Sequence, residues 1–550
     1  MKTLSVFWKQ IASASLALLL LAGCGSGGDA IQINDTREPG VLYRVLEDEA
    51  TSLDPHKISV VVDSRIAKDL FEGLTTYRED GTVGPGLAER WTVTPDGLTW
   101  TFRLRPNLTF SDGTPLNATS VKESVRRLLD PKTAAPYASI IFPVANAEAA
   151  NRGDVPIDQV AVRVLDPLTI EYRLRAPLPR FVELLAHSSQ VVVPAHTIRQ
   201  HGERWTRPEN FVGSGAFVLR SWRLQDQLVM DKNPRYHGAA TVALTRVVYQ
   251  PISDDTTAIR KFRAHQVDIV QDIPTQRLDL LRREVPDAIK TFDWRGTYYV
   301  SFNNTKPPFN DVRVRQALSM SVDRAIITDD VLQRVPKPSA GFVPAGLGGY
   351  GPAIEPSWMK PPLEQRVARA RALLAEAGYG PENQLEFEMR YNTDEDHKRV
   401  MLTLMQLWKP LNVRVRLLNS EASVHFATLK QRDYTAARAG WIGDFSAPEN
   451  FLYLWETSTG PMNYSGFSDP EFDRLMQLGY AEADPERRIA KFRAAEAYGA
   501  ELAPVMPIYT YRTKNLISPD VIGWIPNYEN ENPSKYLSVR RGGSQLGAVR

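Results

Sequence analysis

At 550 residues, 43% of them hydrophobic and 24% charged, the chain exceeds what one core can fill, because single cores rarely extend past about 250 to 300 residues, and two or more lobes are expected. The 66 basic and 64 acidic residues nearly cancel and leave no nucleic-acid footprint. A single cysteine excludes an internal disulfide framework and a thiolate zinc site.

In chain order, Lys2 and Lys9 precede the apolar run from Ile11 to Ala22. That run is too short to span a bilayer and suits a secretory leader. It ends at Leu21-Ala22-Gly23-Cys24, which resembles the bacterial lipobox. The resemblance implies cleavage after residue 23 and lipidation of Cys24, since several acyl chains together anchor a protein stably. The plainer alternative is an ordinary leader with an incidental cysteine. Gly25 to Gly28, with Ser26 among them, opens a flexible tether over residues 24–39. Without Lys2 and Lys9 the basic and acidic residues balance at 64 each.

No short repeat follows, so solenoids and propellers are not expected. Trp100, Phe102 and Leu104 alternate with polar neighbours, the period of a half-buried strand. Val160, Val162 and Val164, then Ile170, Tyr172 and Leu174 across Asp166-Pro167, predict a hairpin; Phe217 to Trp222 with Leu228 to Met230 predicts another. Helices are marked by their ends at Asn117 to Leu129, Asp311 to Val322, and Glu364 to Ala377 before Gly378. His397 to Trp408 carries a broad apolar face and stops at Pro410, after which Val413, Val415 and Leu417 alternate as a strand. Helix followed by strand is the grammar of an α/β lobe. Asp469-Pro470 and Asp484-Pro485 each set a cap before a proline at the first helical position. The last residues, 542–550, are expected to fray.

Five landmarks then carry a resemblance over most of the chain. They are Ser52-Leu53-Asp54-Pro55-His56-Lys57, Asp69-Leu70-Phe71-Glu72-Gly73-Leu74, Trp100-Thr101-Phe102-Arg103-Leu104-Arg105, Ser111-Asp112-Gly113-Thr114-Pro115, and the block from Lys306 to Arg315. With them the sequence resembles the oligopeptide-binding proteins of ABC importers, a family that also holds dipeptide, murein-peptide, nickel and some sugar receptors. The resemblance implies an α/β, two-lobed periplasmic-binding-protein fold with an extra subdomain on the first lobe, closing on its ligand by hinge motion. Residues 40–290 plus 511–541 would form the first lobe, with the subdomain at about 72–195, and 291–510 the second. The expected partners are short peptides, the permease subunits of an ABC transporter, and the membrane through Cys24. The protein would be a monomer in the periplasm or at the cell surface, with no nucleic acid, cofactor or metal.

The segment from Tyr434 to Pro448 says most about ligand. A free peptide offers an ammonium, a carboxylate and a repeating backbone, so a receptor indifferent to side chains binds it as an added strand and fixes its ends by opposite charge. By the resemblance, Asp444 in its Gly440-Trp441 context pairs with the amine. Gly440 and Ile442 offer main-chain groups, with Gly440 allowing close backbone approach. Arg438 and His397 match positions serving the peptide carboxylate or its water shell, and Tyr137 and Val61, the latter in a first-lobe loop, match contacts across the cleft. A loop aspartate is otherwise a turn former, Arg438 could brace an acid, His397 could be surface, and Trp441 is as much core as pocket wall. The chain also departs from its relatives. Ala422 stands where many carry tryptophan, Ser59 replaces an acid, and Ile442 replaces a cysteine, which leaves peptide length and side-chain preference open.

An enzyme is the strongest rival class. Ser357 and Lys360 have a Ser-x-x-Lys spacing, but Pro356, Pro361 and Pro362 hem them in and deny the helix that would align them. Gly346, Gly348 and Gly351 lack the flanking strand and helix of a dinucleotide fingerprint. None of the eight histidines lies in a His-Glu-x-x-His motif. The expectation is a receptor, not an enzyme. Within the receptors, murein peptide, a nickel complex, haem or an oligosaccharide remain alternatives, because a fold does not fix a ligand.

Overall fold

The computed structural model of the chain describes residues 37–541, apart from 59 and 483. The expected leader, Cys24, most of the tether, Ser59 and the tail from 542 lie outside the described residues.

Two large sheets organise the fold. One has seven strands in the order Ile289–Lys290, Asn515–Ile517, Ile269–Val270, Val41–Leu46, Arg246–Pro251, Gln227–Lys232 and Phe217–Arg223. The other has six, in the order Lys337–Pro338, Val505–Arg512, Asp293–Phe302, Ala436–Ile442, Leu385–Asn392 and Val413–Ser420. The chain passes between them twice, at residues 291–292 and 513–514. The two crossings are tied together: Thr513 N–H donates to the Phe292 carbonyl at 2.8 Å, and Phe292 N–H donates to Thr513 Oγ1 at 3.0 Å. Since Val505–Arg512 belongs to the second sheet, the return crossing falls slightly later than the expected 510/511.

A third sheet, Ala88–Val93, Thr99–Leu104, Thr169–Arg173 and Val162–Asp166, lies within the first lobe's sequence and has its own core. The alternation at Trp100, Phe102 and Leu104 places those side chains on that core, where Phe102 meets Tyr172 edge to face at 5.8 Å. The fold is therefore α/β, mixed in strand direction and built around separate cores as length requires.

Local chemistry sets the helix boundaries. Asn117 caps Ala118–Leu129 through a reciprocal bond with Ser120. Asp469 and Asp484 cap helices that begin at Pro470 and Pro485. Gly378 takes φ +92° just past Leu363–Glu376, where a residue with a Cβ would be strained. The helix expected from His397 begins two residues earlier, at Glu395, because Asp394 caps it by accepting from His397 N–H at 2.8 Å. A short helical turn, Ser357–Met359, forms despite the surrounding prolines, but Ser357 Oγ donates to Glu501 at 2.9 Å rather than facing Lys360. Among the described residues no group of three or more His, Cys, Asp or Glu is arranged to hold a metal ion, and no helix is long and apolar enough to cross a membrane.

Candidate functional site

The strand Ala436–Ile442 carries most of the sequence-predicted residues, and its hydrogen-bonding pattern decides what it can offer. It runs antiparallel to Asp293–Phe302. The flanking bonds, Asn303 N–H to the Thr435 carbonyl at 3.0 Å and Gly443 N–H to the Arg295 carbonyl at 2.9 Å, fix which residues face that neighbour: the odd-numbered ones. Even-numbered residues turn their main-chain groups to the opposite edge, where Leu385–Asn392 pairs only with Ala436 and Ala437 before diverging. The Arg438 carbonyl is met there by His425 Nε2 at 2.9 Å. The main-chain groups of Gly440 and Ile442 have no strand opposite them among the described residues. This is a sheet edge open to an added strand.

Beyond the strand, Asp444 sits in a tightly held loop. Gly443 N–H donates to the Arg295 carbonyl, and Arg295 Nε returns a bond to the Gly443 carbonyl at 2.9 Å. Asp444 N–H donates to Asn450 Oδ1 at 2.9 Å. The carboxylate is partly accessible yet deeply enclosed, so the space it faces is internal, and burial pushes its carboxyl up to about 6. Arg295 and Lys68 pull the other way, but each is already ion-paired, Arg295 with Glu529 and Lys68 with Glu531. No basic side chain among the described residues comes within ion-pair distance of Asp444. Across the cleft, Tyr137 rises from the first lobe's subdomain and packs against His187 at 4.7 Å. Tyr137 and Tyr453 have phenols pushed up by burial and then by Asp444's charge, so both lie within reach of its field.

At the other end, Arg438 is 7% exposed and forms no ion pair among the described residues. Its guanidinium donates to the Tyr511 hydroxyl at 2.6 Å and to Asn392 Oδ1 at 3.1 Å, and lies 4.8 Å from the centre of the Tyr298 ring. Burial disfavours its charge, but the surrounding tyrosines and Asp394 hold its pKa above the usual value. His397 meets the same Tyr298 ring edge-on at 5.4 Å. Burial, then Arg438, Lys514 and His425, hold its imidazole well below the ordinary range, so it is neutral at physiological pH.

The structure thus brings Asp444, Gly440, Trp441, Ile442, Arg438, His397 and Tyr137 around one cleft. Two readings need correction. Gly440 does leave room, but a side chain takes it: a Cβ there would lie 2.4 Å from the Tyr511 hydroxyl oxygen that also holds Arg438. Val61 is not in a loop. It begins the helix Val61–Leu70 and is 45% exposed. Trp441, half-buried, packs against the core beneath the strand, and its Nε1 donates to the Asn450 carbonyl at 2.7 Å. Sequence reasoning missed Asn450, Arg295, Tyr298 and Tyr511. Only their three-dimensional neighbours reveal them, since no spacing in the chain connects them to Asp444 or Arg438.

The lobes touch at both ends of this cleft. Near Asp444, Phe445 packs on the subdomain core and Arg180 Nη2 donates to the Gly348 carbonyl at 3.1 Å. Near His397, Asp396 accepts from Thr275 Oγ1 at 2.6 Å and from Lys514 Nζ at 3.0 Å. The arrangement is a closed cleft with a free strand edge and, at each end, a charge of opposite sign that no ion pair among the described residues answers.

Comparison with known proteins yields concordant matches. Residues 82–463 match the model of the bacterial extracellular solute-binding proteins, family 5 (middle region). The chain is 34% identical over 537 residues to the periplasmic oligopeptide-binding protein of Salmonella typhimurium, covering 96% of this chain and 97% of that one. It is 36% identical over 495 residues to the periplasmic murein peptide-binding protein of Escherichia coli, covering 90% and 91%. A crystal structure of the Haemophilus influenzae oligopeptide-binding protein in complex with the peptide RPPGFSPFR superposes with a TM-score of 0.84 at 31% identity, covering 92% of this chain and 99% of that one.

Proposed function

The chain belongs to the bacterial extracellular solute-binding proteins of family 5, and from that premise we propose that it captures short peptides in extended form between its two lobes and delivers them to an ABC importer. The observation that carries this reading is the enclosed Asp444 carboxylate. At neutral pH it is ionised, since its pKa is about 6, yet among the described residues no cation of the chain pairs with it. A buried charge without a partner is costly, and a ligand ammonium would supply one in surroundings where the bond is stronger than at an exposed site.

The rest of the cleft suits the remainder of a peptide. Gly440 and Ile442 would give the backbone a strand to pair with, and Arg438 would receive the terminal carboxylate. His397, being neutral, would serve as a hydrogen-bonding partner or hold water rather than act as a second cation. Tyr137 would close over the amine end, and Val61, exposed at the start of its helix, would meet the peptide from the first lobe. The names of the relatives support a peptide as the cargo.

A murein peptide, which also carries a free amine, is the second reading, favoured by the similarity to the Escherichia coli murein peptide receptor. A sugar, carrying no cation, would leave Asp444 unanswered. We read the protein as a monomeric receptor rather than an enzyme, anchored outside the cytoplasm through lipid on Cys24. Residues 40–290 with the C-terminal segment would move as one lobe, and the second sheet with its helices as the other.

Calorimetry with unblocked tri- to pentapeptides and their N-acetylated forms tests the amine anchor. The unblocked peptides should bind far more tightly, and equal affinities would refute it. Mass spectrometry of co-purified ligand separates ordinary from murein peptides. For the anchor, Cys24→Ser should abolish partitioning into detergent, and unchanged partitioning would count against lipidation.

A further inference from the structure

The loop that presents Asp444 is held by a residue with no role in the reading above. Asn450 is 3% exposed and lies in the short helix Glu449–Leu452, one turn beyond the loop. Its Oδ1 accepts from Asp444 N–H at 2.9 Å and from Trp441 Nε1 at 3.2 Å, while its own carbonyl accepts from Trp441 Nε1 at 2.7 Å. The nearby carboxamide also favours the ionised form of the Asp444 carboxylate. One amide oxygen thus fastens the main chain at Asp444 and the indole of Trp441 to the same point.

The fit is close. A Cβ on Gly443 would lie 3.1 Å from Asn450 Oδ1 and 2.9 Å from the Phe451 ring, so only glycine lets the loop lie this near Asn450. On the far side, Arg295 holds Gly443 by two bonds. The loop is gripped between a guanidinium and a carboxamide, and the strand ending in Trp441 is fastened to the same asparagine.

We propose that Asn450 is a positioning residue, which fixes the loop so that Asp444 faces the amine end of the cleft. A carboxylate on a free loop could turn toward Arg295 or Lys68 and be neutralised within the chain. The Asn450 grip prevents that turn and leaves the charge for the ligand. An apolar residue of similar size would fill the space but supply neither bond, and an aspartate would keep the acceptor while setting a second anion beside the first.

This inference rests on the amine-anchor reading, and the experiment separates the two. The affinity of an unblocked tripeptide and its N-acetylated form is measured by calorimetry between pH 5 and 8 for the wild type, Asp444→Asn, Asn450→Ala and Asn450→Asp. The groups acting on Asp444 in that range are Arg295 and Lys68, with their partners Glu529 and Glu531, and the tyrosines Tyr137 and Tyr453. Asn450→Ala should weaken the unblocked peptide roughly tenfold, the worth of a hydrogen bond to a charged group, and leave the acetylated one nearly unchanged. The pH midpoint of binding should rise, because the carboxamide favours the ionised form and its removal ends that bias. In Asn450→Asp the midpoint should rise further, by like-charge repulsion.

An equal loss for both peptides in Asn450→Ala, or an unmoved midpoint, makes Asn450 merely structural and overturns the proposal. If Asn450→Ala does not fold, the near-isosteric Asn450→Asp decides alone by its midpoint. If Asp444→Asn retains the preference for a free amine, the underlying reading fails. If Asp444→Asn abolishes that preference while the Asn450 variants behave as wild type, only the role of Asn450 fails.

Discussion

Two buried carboxylates in this molecule have met opposite fates. Glu72, inside the first lobe, is bonded to Lys535 Nζ at 2.7 Å, Tyr236 hydroxyl at 2.6 Å and His237 Nε2 at 2.5 Å. Burial alone would raise its pKa, but Lys535 and His237 overcome that and hold it at about 2. Asp444, in the cleft, is enclosed and lacks any such partner, and its pKa rises to about 6. The chemistry of the side chains is nearly the same; what differs is whether the fold brings a cation to them. A charge answered within the chain holds structure together, and a charge left unanswered at a closable cleft is available for binding.

The largest effect should come from breaking the answered pair. Lys535→Met leaves Glu72 buried without its ammonium and should cost about 3 to 5 kcal/mol in urea unfolding. The pH dependence has a definite sign. Because folding lowers the pKa of Glu72, its contribution is complete above the unfolded value of about 4.5 and is lost as pH falls toward 2. An acid limb of stability that is the same in wild type and Glu72→Gln would remove this half of the comparison.

Asp444→Asn should do the reverse, lowering affinity while sparing the fold. Loss of one partner from an enclosed charge pair should weaken an unblocked peptide by about a hundredfold, in line with roughly 2 to 5 kcal/mol for such truncations. The ligand-free protein should become more stable at pH 7, not less. Folding raises the pKa of Asp444, so its ionisation opposes folding above about pH 6 and ceases to do so below its unfolded value near 3.8. The gain is on the order of 3 kcal/mol, since each tenfold change in proton affinity between the folded and unfolded chain is worth about 1.4 kcal/mol. For the same reason wild-type affinity should fall as pH drops through 6. A destabilised Asp444→Asn protein would mean that the carboxylate serves the fold.

Much of the frame was legible in the sequence. Trp100, Phe102 and Leu104 announce their strand because one face is buried and the other is not, and the proline helix starts announce themselves by capping chemistry. The seven-stranded sheet was harder to read. Its members Ile269–Val270, Ile289–Lys290 and Asn515–Ile517 are too short to show a period, and pairing over more than two hundred residues leaves no local trace. The site divides in the same way. Asp444 and Arg438 stand out through their family context, but their isolation does not, because it depends on Glu529 and Glu531 returning from near the C-terminus to occupy Arg295 and Lys68. Likewise Tyr511, which fills the space at Gly440, comes from a strand seventy residues further on.

The carboxylate end of the cleft should respond more weakly than the amine end, for a reason visible in its neighbours. Arg438 is partly satisfied by Tyr511, Asn392 and the Tyr298 ring, so Arg438→Met should weaken a tripeptide about tenfold, and a C-terminally amidated tripeptide should scarcely notice the change. His397→Gln should have the smallest effect, less than about threefold. Its imidazole is pushed well below the ordinary range by burial and by Arg438, Lys514 and His425, so it brings no charge to a carboxylate at neutral pH, and glutamine can replace a neutral hydrogen-bonding group. Proton titration of the imidazole by NMR checks this directly: it should remain neutral through pH 6. A large loss of affinity in His397→Gln, together with an imidazole that titrates above pH 6, would make this end of the cleft a second charged anchor and erase the asymmetry between its ends.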